Sequence, residues 1–508
     1  MSDSMSFRSW LVLIAVGVLV FLVNIDYTAV NLTLVPISEE IDADLNSLQW
    51  LLSGYVLILG ALVIPAGRIA DLYGKRNTLI GGLLIFMIGS VLTGLGNSLE
   101  ALILGRIAQG VGAAIFIPPA WTLIFSLAPP KKQGFVMGII LSFAGFGLAA
   151  GPTLAGLIIQ ELNWRWIFYI NIPLGIIIIA TLMLCATKDI IPKAQEKVDI
   201  IGTILLASGM CLSVYSVNQI DIWGIASPKL WTLIFIGVSL ILVFVAYNKK
   251  QKVQMVPVSL FRNKAFMAAT FAEFFMAINF SLVLVMMGLY LQNTLHYTSY
   301  EAGLIFISLT ISMGFLSPVG GKMIDAFGIK EPMIFGALCT GLGVALMAFL
   351  KTDSSLVYVL VAMFVVGTGL GAFFTACNTA MMRAVPQDDI NVASGVFTMF
   401  MMIGNTLSVI LSTSFVVLFG QSHLLQSSQK HGMALSAAQH QDLVSIISKV
   451  EHSVTQLKDF APDQIPHLIR WIDESFVYGM SINMMMGCAF SIIAALLTAW
   501  GIKSMNKA

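Results

Sequence analysis

Fourteen apolar stretches follow one another through this chain, each about as long as a helix must be to cross a bilayer. They begin near Ser9, Leu48, Thr78, Ala101, Gln133, Trp166, Asp199, Lys229, Ala265, Ser299, Pro332, Ser355, Asn391 and Phe476. A spanning helix needs about 20 predominantly apolar residues. Only 10% of the 508 residues are charged and 58% are hydrophobic, with a mean hydropathy of +0.90, whereas a soluble domain carries roughly 25% charge. The chain is therefore a polytopic, all-α membrane protein. A net charge of +1 gives no global field for nucleic acid, so the basic residues are read by position. The first apolar stretch is interrupted by Asp26 and lacks a small-residue cleavage site, so it reads as a retained helix.

Position is informative. With a cytoplasmic N-terminus, the even-numbered connections hold Lys75, Arg76, Lys131, Lys132, Lys188, Lys193, Lys197, Lys249, Lys250, Lys252, Arg262, Lys264, Lys330 and Arg383, while the short odd-numbered ones hold Arg165, Lys229 and Lys351. This is the asymmetry of the positive-inside rule, and it puts both termini in the cytoplasm. A long outside connection is expected at about 421–475. All six histidines fall in outside connections, five of them in that stretch with no two at helical spacing, which argues against a metal site. Its residues from Leu443 to Leu457 form an apolar helical stripe, which would cap the outer mouth, dock a periplasmic adaptor or rest on the interface. The five cysteines stand singly, without metal-ligand spacing or a disulfide framework. There is no P-loop, no Ser/His/Asp set and no HExxH, so neither ATP-driven transport nor hydrolysis is supported, and no enzyme activity or cofactor is expected.

An internal repeat organises the spans. GRIADLYGKR at 67–76 has the layout of GKMIDAFGIK at 321–330: Gly67, Arg68, Asp71, Tyr73 and Gly74 match Gly321, Lys322, Asp325, Phe327 and Gly328, 254 residues later (325 − 71). Each cassette closes the second helix of a six-helix half. The repeat predicts a first bundle over 1–190, an extra helical pair over 191–250 and a second bundle over 251–508. Transporters built from parallel repeats hold substrate between the halves near mid-membrane. At helix ends, Asp71 and Asp325 can meet the positive N-terminus of a helix from the other half, in one arrangement of the halves only. Arg76 reads as part of the same gate, or as a simple topological anchor.

Charges inside spans are the other signal, because they are costly and usually serve a function. Asp26 on helix 1 and Arg106 on helix 4 sit at matching depths. They read as an ion pair that a proton would loosen, or as a static buried pair. Glu273 on helix 9 has no basic residue near it in sequence, which suits proton exchange or pairing with a cationic substrate; the alternative is a plain position near the inner interface where the side chain reaches water. Asn31, Gln109, Trp121, Asn279 and Tyr290 are candidate cavity residues, with interhelical bonding the equal reading for Asn279. Gly151-Pro152 should kink or closely pack helix 5.

The sequence resembles the major facilitator superfamily, specifically drug:proton antiporter family 2, the fourteen-helix multidrug efflux branch. The resemblance covers nearly the whole chain. It rests on GRIADLYGKR, IDYTAVNLTLVP, GRIAQGVGAA, GFGLAAGPTLAG, WRWIFYINIPLG, VDIIG and VPVSLFRNKAF in order. Leu72 stands where a basic residue is usual. The resemblance implies a major facilitator fold and a proton-driven exporter of lipophilic or cationic compounds in a bacterial inner membrane. It also implies a cytoplasmic gate at Asp71 and an antiporter motif at Gly151-Pro152. Two other readings stay open: an exporter of one metabolite such as a siderophore, and a non-transporting sensor or scaffold acting through the 421–475 stretch.

Overall fold

The computed structural model describes residues 5–187, 198–224, 227–430 and 465–502. Fourteen helices among them are long and apolar enough to span a membrane. They are α1 (Phe7–Ile41), α2 (Trp50–Tyr73), α3 (Lys75–Leu95), α4 (Leu99–Leu127), α5 (Gln133–Glu161), α6 (Arg165–Cys185), α7 (Ile200–Asn218) and α8 (Pro228–Lys250). The second half holds α9 (Lys264–Leu289), α10 (Ser299–Phe327), α11 (Lys330–Ala348), α12 (Leu356–Ala384), α13 (Ile390–Lys430) and α14 (Ile465–Gly501). Local chemistry sets the starts. Side chains of Ser98, Asp199, Asn263 and Ser355 accept from backbone N–H groups in the first turns of α4, α7, α9 and α12, and Thr298 with Glu301 forms a capping box on α10.

Helices α1–α6 form one bundle and α9–α14 the other. The first packs around Leu13, Val16, Leu83, Phe86 and Phe116, the second around Phe266, Met286, Met363 and Phe373. The halves meet where α5 lies on α10 and α2 on α13. The extra pair, α7 and α8, is outside this core: α7 packs on α2 and α13, with Trp50 stacked 5.4 Å from Tyr215, and most of α8 is exposed.

The fourteen spans among the described residues put the start of α1 and the end of α14 on one side of the bundle, the terminus face. The last span departs from the sequence expectation. Arg470, Asp473 and Glu474 read as loop, but α14 begins at Ile465 and α13 continues to Lys430, so the stretch expected as a loop at 421–475 is helical at both ends. At 1.5 Å per residue, the 41 residues of α13 extend ~60 Å, twice a bilayer core of ~30 Å. The projecting turns hold together through His423 of α13, which stacks on Tyr478 and bonds Ser475 of α14, while an i,i+4 pair, Arg470–Glu474, lies within α14 itself. The apolar stripe at 443–457 and His431, His440 and His452 lie outside the described residues.

Candidate functional site: a central cavity, a buried charge network and two latches

The two cassettes have one structural job each, and it is the same job. Gly74 and Gly328 end α2 and α10 at φ of 87° and 97°, a conformation that glycine adopts without strain. Seven residues earlier, Gly67 and Gly321 lie against backbone of the other half: a Cβ at Gly67 would meet the Asn391 carbonyl, and one at Gly321 would meet Gly134. Between these glycines stands the carboxylate. Asp325 accepts from the backbone N–H of Gly134 (2.9 Å) and Phe135 (2.8 Å) in the first turn of α5, with Arg383 4.0 Å away. Arg383 also donates to Gln133 Oε1 and the Pro130 carbonyl. Asp71 accepts from Asn391 Nδ2 at 2.6 Å in the first turn of α13, and Asn391 Oδ1 accepts from the Thr122 hydroxyl of α4. Thus each half places an acid at the start of a helix from the other half: Asp325 takes free backbone N–H groups there, where the helix dipole favours negative charge, whereas Asp71 takes the Asn391 side-chain amide. Arg76 does something different, donating to the Met183 carbonyl at 2.8 Å and tying α3 to α6 within its own half.

Toward mid-membrane the halves part around a cavity of about 250 Å³. Apolar and aromatic side chains dominate its wall, among them Trp121, Phe280 and Phe397, with Asn24, Asn378 and Asn405 as polar points and Glu273 as the one acid. Glu273 is 1% exposed, and its Oε2 has no hydrogen-bond partner among the described residues. An ionised carboxylate left so would cost several kcal/mol, so the position calls for a proton or a cation.

Asp26 and Arg106 are joined at 2.6 Å and both are sealed, at 1% and 0% exposure. Around them is a buried polar network, which leaves Arg106 Nη2 without a hydrogen-bond partner among the described residues. Arg106 also donates to the Leu51 carbonyl and Gln109 Oε1, Gln109 donates to Ser90 and Asp26, and Asn171 donates to Ser90 and Asp26. The guanidinium lies 4.5 Å from the centre of the Tyr55 ring, and Tyr55 is itself part of the cavity wall. Asp26 therefore stands behind the wall and Glu273 in it.

Several residues expected at the cavity lie elsewhere. Gln109 belongs to the Asp26 network. Asn279 donates to the Gly487 carbonyl and Ser491, joining α9 to α14, and the Tyr290 hydroxyl donates to the Lys351 carbonyl at 2.6 Å. Asn31 is exposed, bonded to the Tyr27 carbonyl one turn back, and is not part of the cavity wall. Trp121 is in that wall. Gly151 packs against Thr28 of α1, and Pro152 sits within α5. Sequence reasoning missed Tyr55, Thr122, Asn378, Asn391 and Asn405. It also passed over Asn171, although a polar residue inside the apolar run WRWIFYINIPLG was a usable signal.

The model of the Major Facilitator Superfamily matches residues 16–409. The tetracenomycin C resistance and export protein of Streptomyces glaucescens is 29% identical over 79% of this chain and 74% of that protein. The riboflavin transporter RibZ of Clostridioides difficile is 27% identical over 85% of this chain and 93% of its own length. Among solved structures, the proton:xylose symporter XylE superposes with a TM-score of 0.58 at 14% identity, covering 99% of this chain and 98% of that one, a likeness of fold. With its repeated halves, inter-half cavity and fourteen spans, the chain belongs to the Major Facilitator Superfamily, as a multi-pass membrane transporter of small molecules and not an enzyme.

Proposed function

We propose that the protein exports lipophilic or cationic compounds in exchange for protons, by alternating access to the central cavity. Its place is the inner (plasma) membrane of a bacterium, with the terminus face in the cytoplasm, as the basic residues of the even-numbered connections favour. The proton gradient drives it without a cofactor. One observation carries the reading: Glu273 is an acid in an otherwise uncharged cavity wall, without an ion-pair partner among the described residues. A proton and a cationic substrate would compete for it, and such competition is antiport. Aromatic and methionine side chains around it suit varied apolar bodies. The Asp26–Arg106 pair is the second coupling element, since a proton on Asp26 would weaken its hold on Arg106. The inner latches at Asp71 and Asp325 hold the cavity closed to the cytoplasm, and they part when the halves rock. The named export function of the Streptomyces relative supports the direction.

The riboflavin transporter among the relatives favours a second reading, transport of one metabolite. Proteoliposomes with an acid interior separate the two. Lipophilic cations added outside should release protons through the wild type, and Glu273→Gln should lower that release at least tenfold with unchanged protein incorporation. Undiminished release in Glu273→Gln would overturn the proposed role of this acid. Flux of a flavin-like metabolite with no response to any cation would favour the second reading.

A further inference from the structure

Away from the central cavity, a cleft of about 510 Å³ opens at the terminus face, lined by Met5 and Trp10 at the start of α1, Lys132, Phe135 and Val136 at the start of α5, and Lys322, Asp325 and Ala326 near the end of α10. Its two lysines come from different halves. Both are exposed, and neither is ion-paired among the described residues; the Lys322 ammonium lies 5.4 Å from the centre of the Phe135 ring. The acid in the cleft does not neutralise them, because Asp325 is taken by the N–H groups of Gly134 and Phe135 and faces Arg383. The rest of the lining is mostly apolar, and Trp10, in the first turn of the first span, is 37% exposed; indole rings near span ends anchor in headgroups.

We propose that this cleft is a binding site for the headgroup of an acidic phospholipid, its phosphate held between Lys132 and Lys322 and its glycerol end against Trp10 and Met5. A cleft at bilayer level with two unpaired ammonium groups and an apolar floor matches a ligand that is anionic at one end and apolar at the other. A zwitterionic headgroup brings its own cation and gains less. A soluble anion has no use for the apolar lining. Because Lys132 belongs to the first half and Lys322 to the second, the site is complete only while the halves meet at this face. The bound lipid therefore holds the halves in the arrangement described here, a consequence that rests on the alternating-access reading; the binding itself does not.

The test uses the full-length protein, purified with equal mole fractions of phosphatidylglycerol and phosphatidylcholine, and counts retained lipid by native mass spectrometry. Wild type should retain one phosphatidylglycerol in preference to phosphatidylcholine. The Lys132→Gln/Lys322→Gln variant should lose that preference by roughly thirtyfold, from the usual contribution of a lysine near an anionic lipid surface. Lys249→Gln/Lys250→Gln, which removes two lysines from the end of α8 on the same face, should keep it. Equal loss in both double variants would mean general surface charge and would overturn the site, as would no loss in the first. Displacement of the retained lipid by millimolar glycerol 3-phosphate would show that the ligand is a soluble phosphate and would also overturn it. Thermal unfolding of the first variant at the wild-type temperature confirms that the change is local.

Discussion

Replacing Asn391 by alanine removes two hydrogen bonds that exist only while the halves meet at the terminus face. One is donated to the Asp71 carboxylate at 2.6 Å, and the other is accepted from Thr122. A hydrogen bond to a charged group contributes about 1.5–3 kcal/mol and one between neutral groups about 0.5–1.5 kcal/mol. Part of this returns when the halves part, because water then reaches Asp71 and Thr122. The closed arrangement should lose about 2–3 kcal/mol relative to the open one, a shift of roughly 30- to 150-fold in their ratio. The effect is measurable by double electron–electron resonance between spin labels at Tyr73 and Phe327, exposed matching positions on the two halves. Asn391→Ala should populate a longer distance. Asn391→Asp should do so at least as strongly, since it sets a second carboxylate against Asp71. A protein that favours the closed form by more than 3 kcal/mol would mask either change, so the decisive variant is Asn391→Asp with Asp325→Ala, which strips both latches. A wild-type distance distribution in that double variant would refute the assignment of these contacts as the closure.

Three further outcomes follow from the same geometry. Arg106→Ala leaves Asp26 buried without its cation and should cost about 3–5 kcal/mol of stability, seen as a lowered unfolding temperature in detergent, whereas Asp26→Asn keeps the hydrogen-bonding shape and should cost less. Gly321→Ala drives a methyl group into the backbone of Gly134 and should disfavour the closed arrangement by about 1–3 kcal/mol in the same spin-label assay, while Gly81→Ala, whose added carbon meets nothing within 4 Å, should leave the distances unchanged. Tyr290→Phe should lower stability by about 1 kcal/mol through loss of the bond to the Lys351 carbonyl, with proton-linked flux retained; loss of flux at full stability would return this residue to the cavity.

Depth was legible in the sequence and direction was not. Length and hydropathy set the starts of thirteen spans to within a few residues, and counting residues from the membrane edge placed Asp26 level with Arg106. The same arithmetic put Gln109, Asn279 and Tyr290 at useful depths but left open which way each pointed. In α1, α4 and α9 apolar residues cover nearly all sides, so no polar face marks the inward direction as it would on a surface helix. The latches illustrate both cases. Asp71 and Asp325 were marked by the repeat, but Asn391 and Thr122 stand 269 residues apart, outside either cassette, and only the packed halves bring them together. The last span began early for a further reason. Hydropathy scores Arg470, Asp473 and Glu474 as loop, whereas an i,i+4 pair and the buried Trp471 and Ile472 sustain a helix beyond the bilayer.

Comparison of the two halves assigns their acids different work. Carried back by the cassette offset of 254, Glu273 falls on Leu19 (273 − 254), and both line the cavity. The carboxyl group is thus an addition by the second half at a position the first half fills with a hydrocarbon. Asp26 carried forward falls one residue from Asn279, which joins α9 to α14 through neutral bonds. There the first half uses an ion pair where the second uses an amide. Latches repeated in both halves suit a motion that treats the halves alike. Acids present in one half at a time suit steps that must be told apart: on the proposed function, the sealed pair would respond to a proton through Arg106, and the acid in the wall would meet whatever enters the cavity. If one acid did both, Asp26→Asn and Glu273→Gln would give the same defect. The separation in space predicts that they will not. Glu273→Gln should abolish the response of proton release to added cation, while Asp26→Asn should alter the balance between the open and closed arrangements even with no cation present. Identical defects in the flux and spin-label assays would mean that the wall at Tyr55 does not separate the two sites.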